Sequence, residues 1–202
     1  MQKKDDQITV IFFDVGDVMA HDYVDSKVAD LAAKHNRDLH EMLKLRKQVR
    51  ARADAGEISD REFWVQLLAA VGVTATESDL ECETFEQPIE ATLEVVKQLK
   101  QLGYRLVILS NDSRESSNYR RAKYGYDSIF DHVIISCYYG LIKPDSELYE
   151  KALQELNIAA HESLFIDDRE KNVKASESVG MKGILFKNAA QLSDELRKLG
   201  LI

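Results

Sequence analysis

Cysteine, positive charge and long apolar runs are all scarce in this sequence, and each scarcity removes a class of protein. Two cysteines, Cys82 and Cys137, in 202 residues are too few for a disulfide-stapled scaffold or a four-cysteine zinc site. The 27 lysines and arginines face 35 aspartates and glutamates, a formal net charge of −8, which argues against a nucleic-acid partner. The longest apolar run, Ile8-Thr9-Val10-Ile11-Phe12-Phe13, is far below the roughly 20 residues that span a bilayer. No membrane partner is expected. Residues 1–7 are polar and lack the apolar centre of a secretory signal, so the expected location is the cytoplasm. There is no internal repeat and no low-complexity tract. What is present is an ordinary folding composition, 45% hydrophobic and 31% charged, long enough for one domain or one plus a modest insertion. The pattern fixes no oligomeric state.

The first apolar run reads as a strand buried on both faces, as in a parallel sheet. Residues 104–109, 132–135 and 164–166 repeat its character, and residues 183–186 do so more weakly. Amphipathic helices are predicted between them. One opens at Pro88, carries Ile89, Leu93, Val96, Leu99 and Leu102, and stops at Gly103. Others cover residues 145–156 and 170–179, the latter ending at Gly180. This alternation predicts a parallel, Rossmann-like α/β sheet with helices on both faces. Between the first strand and Pro88 only helical patterns occur: residues 23–35, residues 39–55, and a capping box at Ser59-Asp60-Arg61-Glu62. A small α-helical cap inserted after the first strand follows, with the α/β core at 8–17 and 88–202, the cap at 18–87 and a polar tail at 1–7.

In open parallel sheets ligands sit beyond the carboxyl ends of the strands. The first strand ends in Asp14, the second in Ser110-Asn111, the fourth in Asp167-Asp168, and the loop after the third holds Lys143-Pro144-Asp145. Any one of these carboxylates could simply cap a helix. Several together would converge on one crevice, where mutual repulsion is relieved by a hard divalent cation such as Mg²⁺.

Phe12-Phe13-Asp14-Val15-Gly16-Asp17-Val18, Leu109-Ser110-Asn111, Lys143-Pro144-Asp145 and Phe165-Ile166-Asp167-Asp168 resemble the four ordered motifs of the haloacid dehalogenase superfamily. The match spans about residues 8–186, and the helical insertion resembles that superfamily's helical cap type. The nearest look-alikes are small-phosphate phosphatases with a D-x-G-N-V or D-x-G-G-V first motif, including a sugar-1-phosphate phosphatase group. The resemblance implies a Mg²⁺-dependent phosphatase of a small phosphorylated metabolite. Asp14 would be the nucleophile that forms an aspartyl-phosphate. Ser110, Asn111 and Lys143 would hold the phosphoryl oxygens, with Lys143 also keeping Asp14 ionised. Mg²⁺ would be bound by Asp14, the carbonyl of Gly16 and Asp168, with Asp167 in support.

The departure is at position 16, where the family's usual first motif has a second Asp as general acid and base. Gly16 cannot move a proton, so Asp17 and His21 are the candidate substitutes, with Asp22 beside them. A phosphoglucomutase-like transferase, which relies on that Asp, is disfavoured. The Asp167-Asp168 pair also disfavours a metal-independent dehalogenase. A catalytically silent phosphate- or protein-binding relative is the third reading. Position 16 has two readings: an Asp there would restore the proton carrier, or the backbone holds a conformation that only glycine tolerates. The run Lys44-Leu45-Arg46-Lys47-Gln48-Val49-Arg50-Ala51-Arg52 reads first as one solvated helix face, with a grip on a phosphorylated substrate or an acidic partner as the alternative. Trp64 is expected in the cap's core.

Overall fold

Five segments rich in branched and aromatic side chains pair in parallel in the computed structural model, which describes residues 7–81 and 87–202. They are β1 (Val10–Phe13), β2 (Arg105–Ser110), β3 (His132–Ile135), β4 (Ser163–Asp167) and β5 (Lys182–Leu185), in the order β3-β2-β1-β4-β5. Strand β1 is central, and its alternate side chains serve opposite faces. Ile11 and Phe13 pack with Leu106, Ile108, Leu164 and Ile166 on one side. Val10 and Phe12 pack with Val107, Leu109 and Phe165 on the other. Both faces are covered, which is why β1 is uninterrupted apolar sequence rather than an alternation.

Helices α1 (Val24–Lys34), α2 (Leu39–Asp54), α3 (Asp60–Ala70), the single-turn α4 (Glu77–Leu80) and α5 (Glu90–Gln101) lie between β1 and β2. Helices α6 (Arg114–Tyr124) and α7 (Tyr126–Ile129) lead to β3, α8 (Ser146–Leu156) to β4 and α9 (Glu170–Ser178) to β5, with α10 (Ala189–Lys198) last. Val96 and Leu99 of α5 and Leu192 and Leu196 of α10 cover one sheet face; Leu148, Ala152 and Leu156 of α8 cover the other. A third apolar cluster draws on α1, α2 and α3: Val28, Leu31, Met42, Phe63, Trp64, Leu67 and Leu68. Trp64 is 1% exposed and belongs to this cluster, as expected. The capping box at Ser59 forms in both directions with Glu62.

Side-chain hydrogen bonds fasten the helical layer to the rest of the fold. Ser136 Oγ donates to the carbonyl of Asp54 at 2.5 Å, and Ser116 Oγ donates to Asp60 Oδ2 at 2.6 Å. Beside them the loop after α2 meets the loop after β3 so closely that a Cβ on Gly56, whose φ is +75°, would lie 2.3 Å from the Cys137 carbonyl oxygen.

One expectation needs adjustment. Pro88 does not open α5; it bridges to Ala20, and the helix begins at Glu90 after Ile89. Helices α6 and α10 have no counterpart in the sequence reading, because neither carries a long apolar stripe: α6 buries Ser116, Ser117 and Arg120, and α10 only Leu192 and Leu196. The expected polar tail, Gln7 apart, and Cys82 lie outside the described residues. Among those residues, no helix is long and apolar enough to cross a membrane.

Candidate active site

The register of β1 on β4 pairs Phe13 with Ile166, so the next residues, Asp14 and Asp167, come side by side at the strand ends. The Asp14 N–H donates to the Ile166 carbonyl at 2.9 Å. Here the chain changes direction across the sheet, with β2 and β3 on one side of β1 and β4 and β5 on the other. Such a switch point leaves a crevice. Three donors converge on Asp14 Oδ1: the Val15 N–H at 2.7 Å, Ser110 Oγ at 2.9 Å and Lys143 Nζ at 2.9 Å. Among the described residues no hydrogen bond reaches Oδ2. Lys143 Nζ also lies 2.7 Å from Asp167 Oδ2.

Two amides hold this arrangement. Asn111 Nδ2 donates to the Lys143 carbonyl at 2.9 Å and its Oδ1 accepts from the Lys143 N–H at 2.7 Å. The Asn111 side chain therefore grips the backbone that presents Lys143. Asn172, which sequence reading did not single out, donates through Nδ2 to both oxygens of Asp167 at 3.0 Å. Its signal was available: it falls in the first turn of α9, five residues after Asp167.

The electrostatics follow from burial. Burial raises Asp14 above the usual carboxylate range; Lys143 opposes the rise and Asp167 adds to it. Burial alone would raise Asp167 too, but the Lys143 charge and hydrogen bond, the Arg169 N–H and Asn172 hold it below its ordinary value. Burial would lower Lys143, yet the two carboxylates keep it raised and charged. Asp168 has weaker help, from Arg169 alone at 3.9 Å. Burial, then the charges of Asp14 and Asp167, push it up to about 6, and its Oδ1 is buried with no hydrogen-bond partner.

Asp14, Asp167 and Asp168 each offer an oxygen, all within 4.8 Å of one another. Three hard carboxylate donors with one oxygen left unbonded fit a hard divalent cation better than a closed hydrogen-bond network. Gly16 lines the small cavity beside Asp14. Of the two readings of this position, the glycine-only conformation is not the one found: its φ is not positive and a Cβ there would meet nothing within 4 Å.

The opposite wall comes from α2. Arg46, Arg50 and Asp54 line the same cavity of about 70 Å³ as Asp14, Ser110 and Lys143. The basic run is therefore not one solvated face. Arg50 is buried against Asp54, Asp60 and Asp112 at 2.8, 3.3 and 3.0 Å, and Arg120 pairs with Asp112 from the other side. The spacing of Arg46, Arg50 and Asp54, one helical turn each, was the legible signal for this wall. Asp17 and His21 do not line the cavity; their side chains are 51% and 68% exposed and lie 3.9 Å apart. Asp22 and Asp54 do line it. Burial raises Asp54, and Arg50 opposes that.

Residues 8–180 match the family described as haloacid dehalogenase-like hydrolase. A sesquiterpene phosphatase of Aspergillus oryzae is 29% identical over 153 residues, 72% of this chain and 76% of that protein. A glyceraldehyde 3-phosphate phosphatase of Pyrococcus abyssi is 35% identical over 94 residues, covering 46% of this chain and only 40% of its own length. Among solved structures, a haloacid dehalogenase family enzyme of Bacteroides thetaiotaomicron in complex with magnesium and inorganic phosphate superposes with a TM-score of 0.74. It is 18% identical, with 90% of this chain and 95% of that one covered. The matched span takes in β1, the helical layer, β2, β3, β4 and α9, and with them Asp14, Ser110, Lys143 and the Asp167-Asp168 pair; the chain belongs to the haloacid dehalogenase-like hydrolase family.

Proposed function

We propose that the protein is a Mg²⁺-dependent phosphatase of a small phosphorylated metabolite, with Asp14 as its nucleophile. The observation that carries the reading is the orientation of Asp14: all three donors hold Oδ1, which leaves Oδ2 to attack. Oδ2 bonds to phosphorus as the bond from phosphorus to the ester oxygen breaks, and the leaving oxygen takes a proton. Water then attacks the aspartyl-phosphate, releasing phosphate and restoring the carboxylate. Lys143 and Ser110 stabilise the charge on the phosphoryl oxygens, and Asn111 positions Lys143. The donor oxygens of Asp14 and Asp168, the Gly16 carbonyl and Asp167 in support would hold Mg²⁺, which would neutralise phosphoryl charge and bring an anion beside three carboxylates. With glycine at position 16, Asp54 and Asp22 on the cavity wall are better placed to supply the leaving group's proton than Asp17 or His21.

Phosphatases among the relatives support the reaction class. The buried, unbonded oxygen of Asp168 speaks against the metal-independent dehalogenase reading, which gives it no partner. Hydrolysis of an aryl phosphate with Mg²⁺ and with EDTA tests the proposal. Release that needs Mg²⁺ supports it. No release at any Mg²⁺ concentration refutes it and returns the dehalogenase and silent-binder readings.

A further inference from the structure

The cavity beside Asp14, about 70 Å³, holds little more than a phosphoryl group. It continues into a groove of about 380 Å³, the size of a small-ligand site, and Asn111 and Lys143 line both spaces. This groove is the adjoining space with room for the rest of a substrate. Its walls carry a charge opposite to that of the whole chain. Arg46, Lys47 and Arg50 stand on the α2 side and Lys143, Arg169 and Lys171 on the sheet side, with Asp54 the one acidic lining residue.

These cations differ in how far they are neutralised. Arg50 is spent on Asp54, Asp60 and Asp112, and Lys143 on Asp14 and Asp167. Arg46 bonds Asp25 at 2.6 Å, but that carboxylate is 59% exposed, so the pair is weak and exchangeable. Arg169 has only Asp168, at 3.9 Å. Lys47 and Lys171 are exposed and have no carboxylate partner within 4.0 Å among the described residues, although the chain has a surplus of acids. Uncompensated like charges on facing walls repel, and an anion between them relieves the repulsion.

We infer that the substrate's leaving group carries a second anionic oxygen group, a phosphate or a carboxylate, which Lys47 and Lys171 receive with help from Arg46 and Arg169. The inference rests on the phosphatase reading and adds the substrate's charge. A neutral leaving group such as a prenyl chain or an uncharged sugar would leave the lysines unpaired and the groove's charge unused.

Two matched pairs of substrates test it: 1,3-propanediol bisphosphate against the monophosphate, and 3-phosphoglycerate against glycerol 3-phosphate. The doubly anionic member of at least one pair is expected to show at least a tenfold higher kcat/KM, and which pair responds tells phosphate from carboxylate. The advantage should shrink as salt rises, and Lys47→Ala with Lys171→Ala should cut the ratio about tenfold. Calorimetric titration with the non-hydrolysable propane-1,3-bisphosphonate and propylphosphonate repeats the comparison without turnover. Tighter bisphosphonate binding that falls in the double variant supports the groove even where aryl phosphate hydrolysis has failed, so the two ideas fall separately. Equal kcat/KM within both pairs together with equal phosphonate binding overturns the inference, as does a preference undiminished in Lys47→Ala/Lys171→Ala.

Discussion

Two buried ionic clusters lie within reach of one cavity, and they are built on opposite plans. Around Arg50, three carboxylates and two guanidiniums satisfy one another: Asp54, Asp60 and Asp112 take Arg50, and Asp112 also takes Arg120. Around Lys143, two carboxylates share a single ammonium, and a third, Asp168, has only Arg169 at 3.9 Å while its Oδ1 is left buried and unbonded. The first cluster joins the helical layer to the sheet. The second has nothing to join and is short of positive charge. A saturated buried network is a fastening, whereas an unsaturated one is held in place by its surroundings and waits for a ligand.

The sharpest way to separate the two is to remove one member of each. Asp14→Asn should lower aryl phosphate turnover by at least about ten-thousandfold, since an amide is no nucleophile, while circular dichroism and the thermal midpoint stay near those of the parent. Arg50→Ala should do damage of another kind. It takes the guanidinium from Asp54 and Asp60 and leaves Asp112 with Arg120 alone, and should cost about 3–5 kcal/mol in unfolding free energy, measured by urea denaturation. A small cost there would mean that the cluster is not a fastening.

The clusters also part company in their pH dependence. Burial pushes Asp112 up to about 6 in spite of two arginines, against an ordinary 3.8. A folded-state pKa above the unfolded one means the folded protein binds more protons between those values, so this group's contribution falls as pH rises from about 4 to 6 and is flat beyond. The stability of Asp112→Asn relative to the parent should therefore improve across that window, by up to about 2–3 kcal/mol. Asp168 has the same sign and window, but Mg²⁺ should cancel its share. Added Mg²⁺ should leave the Asp112 slope in place, and a slope that vanished with the metal would merge the two clusters into one.

Asp168→Asn sharpens the contrast further. In EDTA it should raise stability by about 1–2 kcal/mol, because it removes a charge that stands beside two like charges and is opposed only by Arg169, and in the same variant the Mg²⁺ requirement should rise at least tenfold. A site whose repair stabilises the fold and spoils the function is unsaturated for a reason. The smallest effect concerns Gly16. Since a Cβ there meets nothing within 4 Å, Gly16→Asp should fold normally and raise hydrolysis of alkyl phosphates by less than about tenfold, with little change for aryl phosphates, whose leaving groups need less protonation. A large gain would mean that neither Asp54 nor Asp22 delivers the proton.

Much of this molecule could be read without coordinates. The run around Phe12 announced a strand of a parallel sheet, buried on both faces, and the polar residues ending the apolar runs announced the crevice, because strand ends in such sheets face the same way. Asp14, Ser110, Lys143 and the Asp167-Asp168 pair were named on that ground. Asn172 and Arg50 were not, since each acts on a residue brought near only by folding. The run around Arg46 was legible as charge but not as orientation.

The division has a physical cause. Local sequence determines what a segment buries, so it settled the strands, the capped helices and the acidic strand ends. Which charges meet depends on register and on how α2 crosses the strand ends, and these are decided by the packing of three separate apolar clusters. Only the tertiary structure could show that Arg50 is spent on Asp54, Asp60 and Asp112 while Lys47 is not, for a charged side chain carries no mark of its partner until packing supplies one.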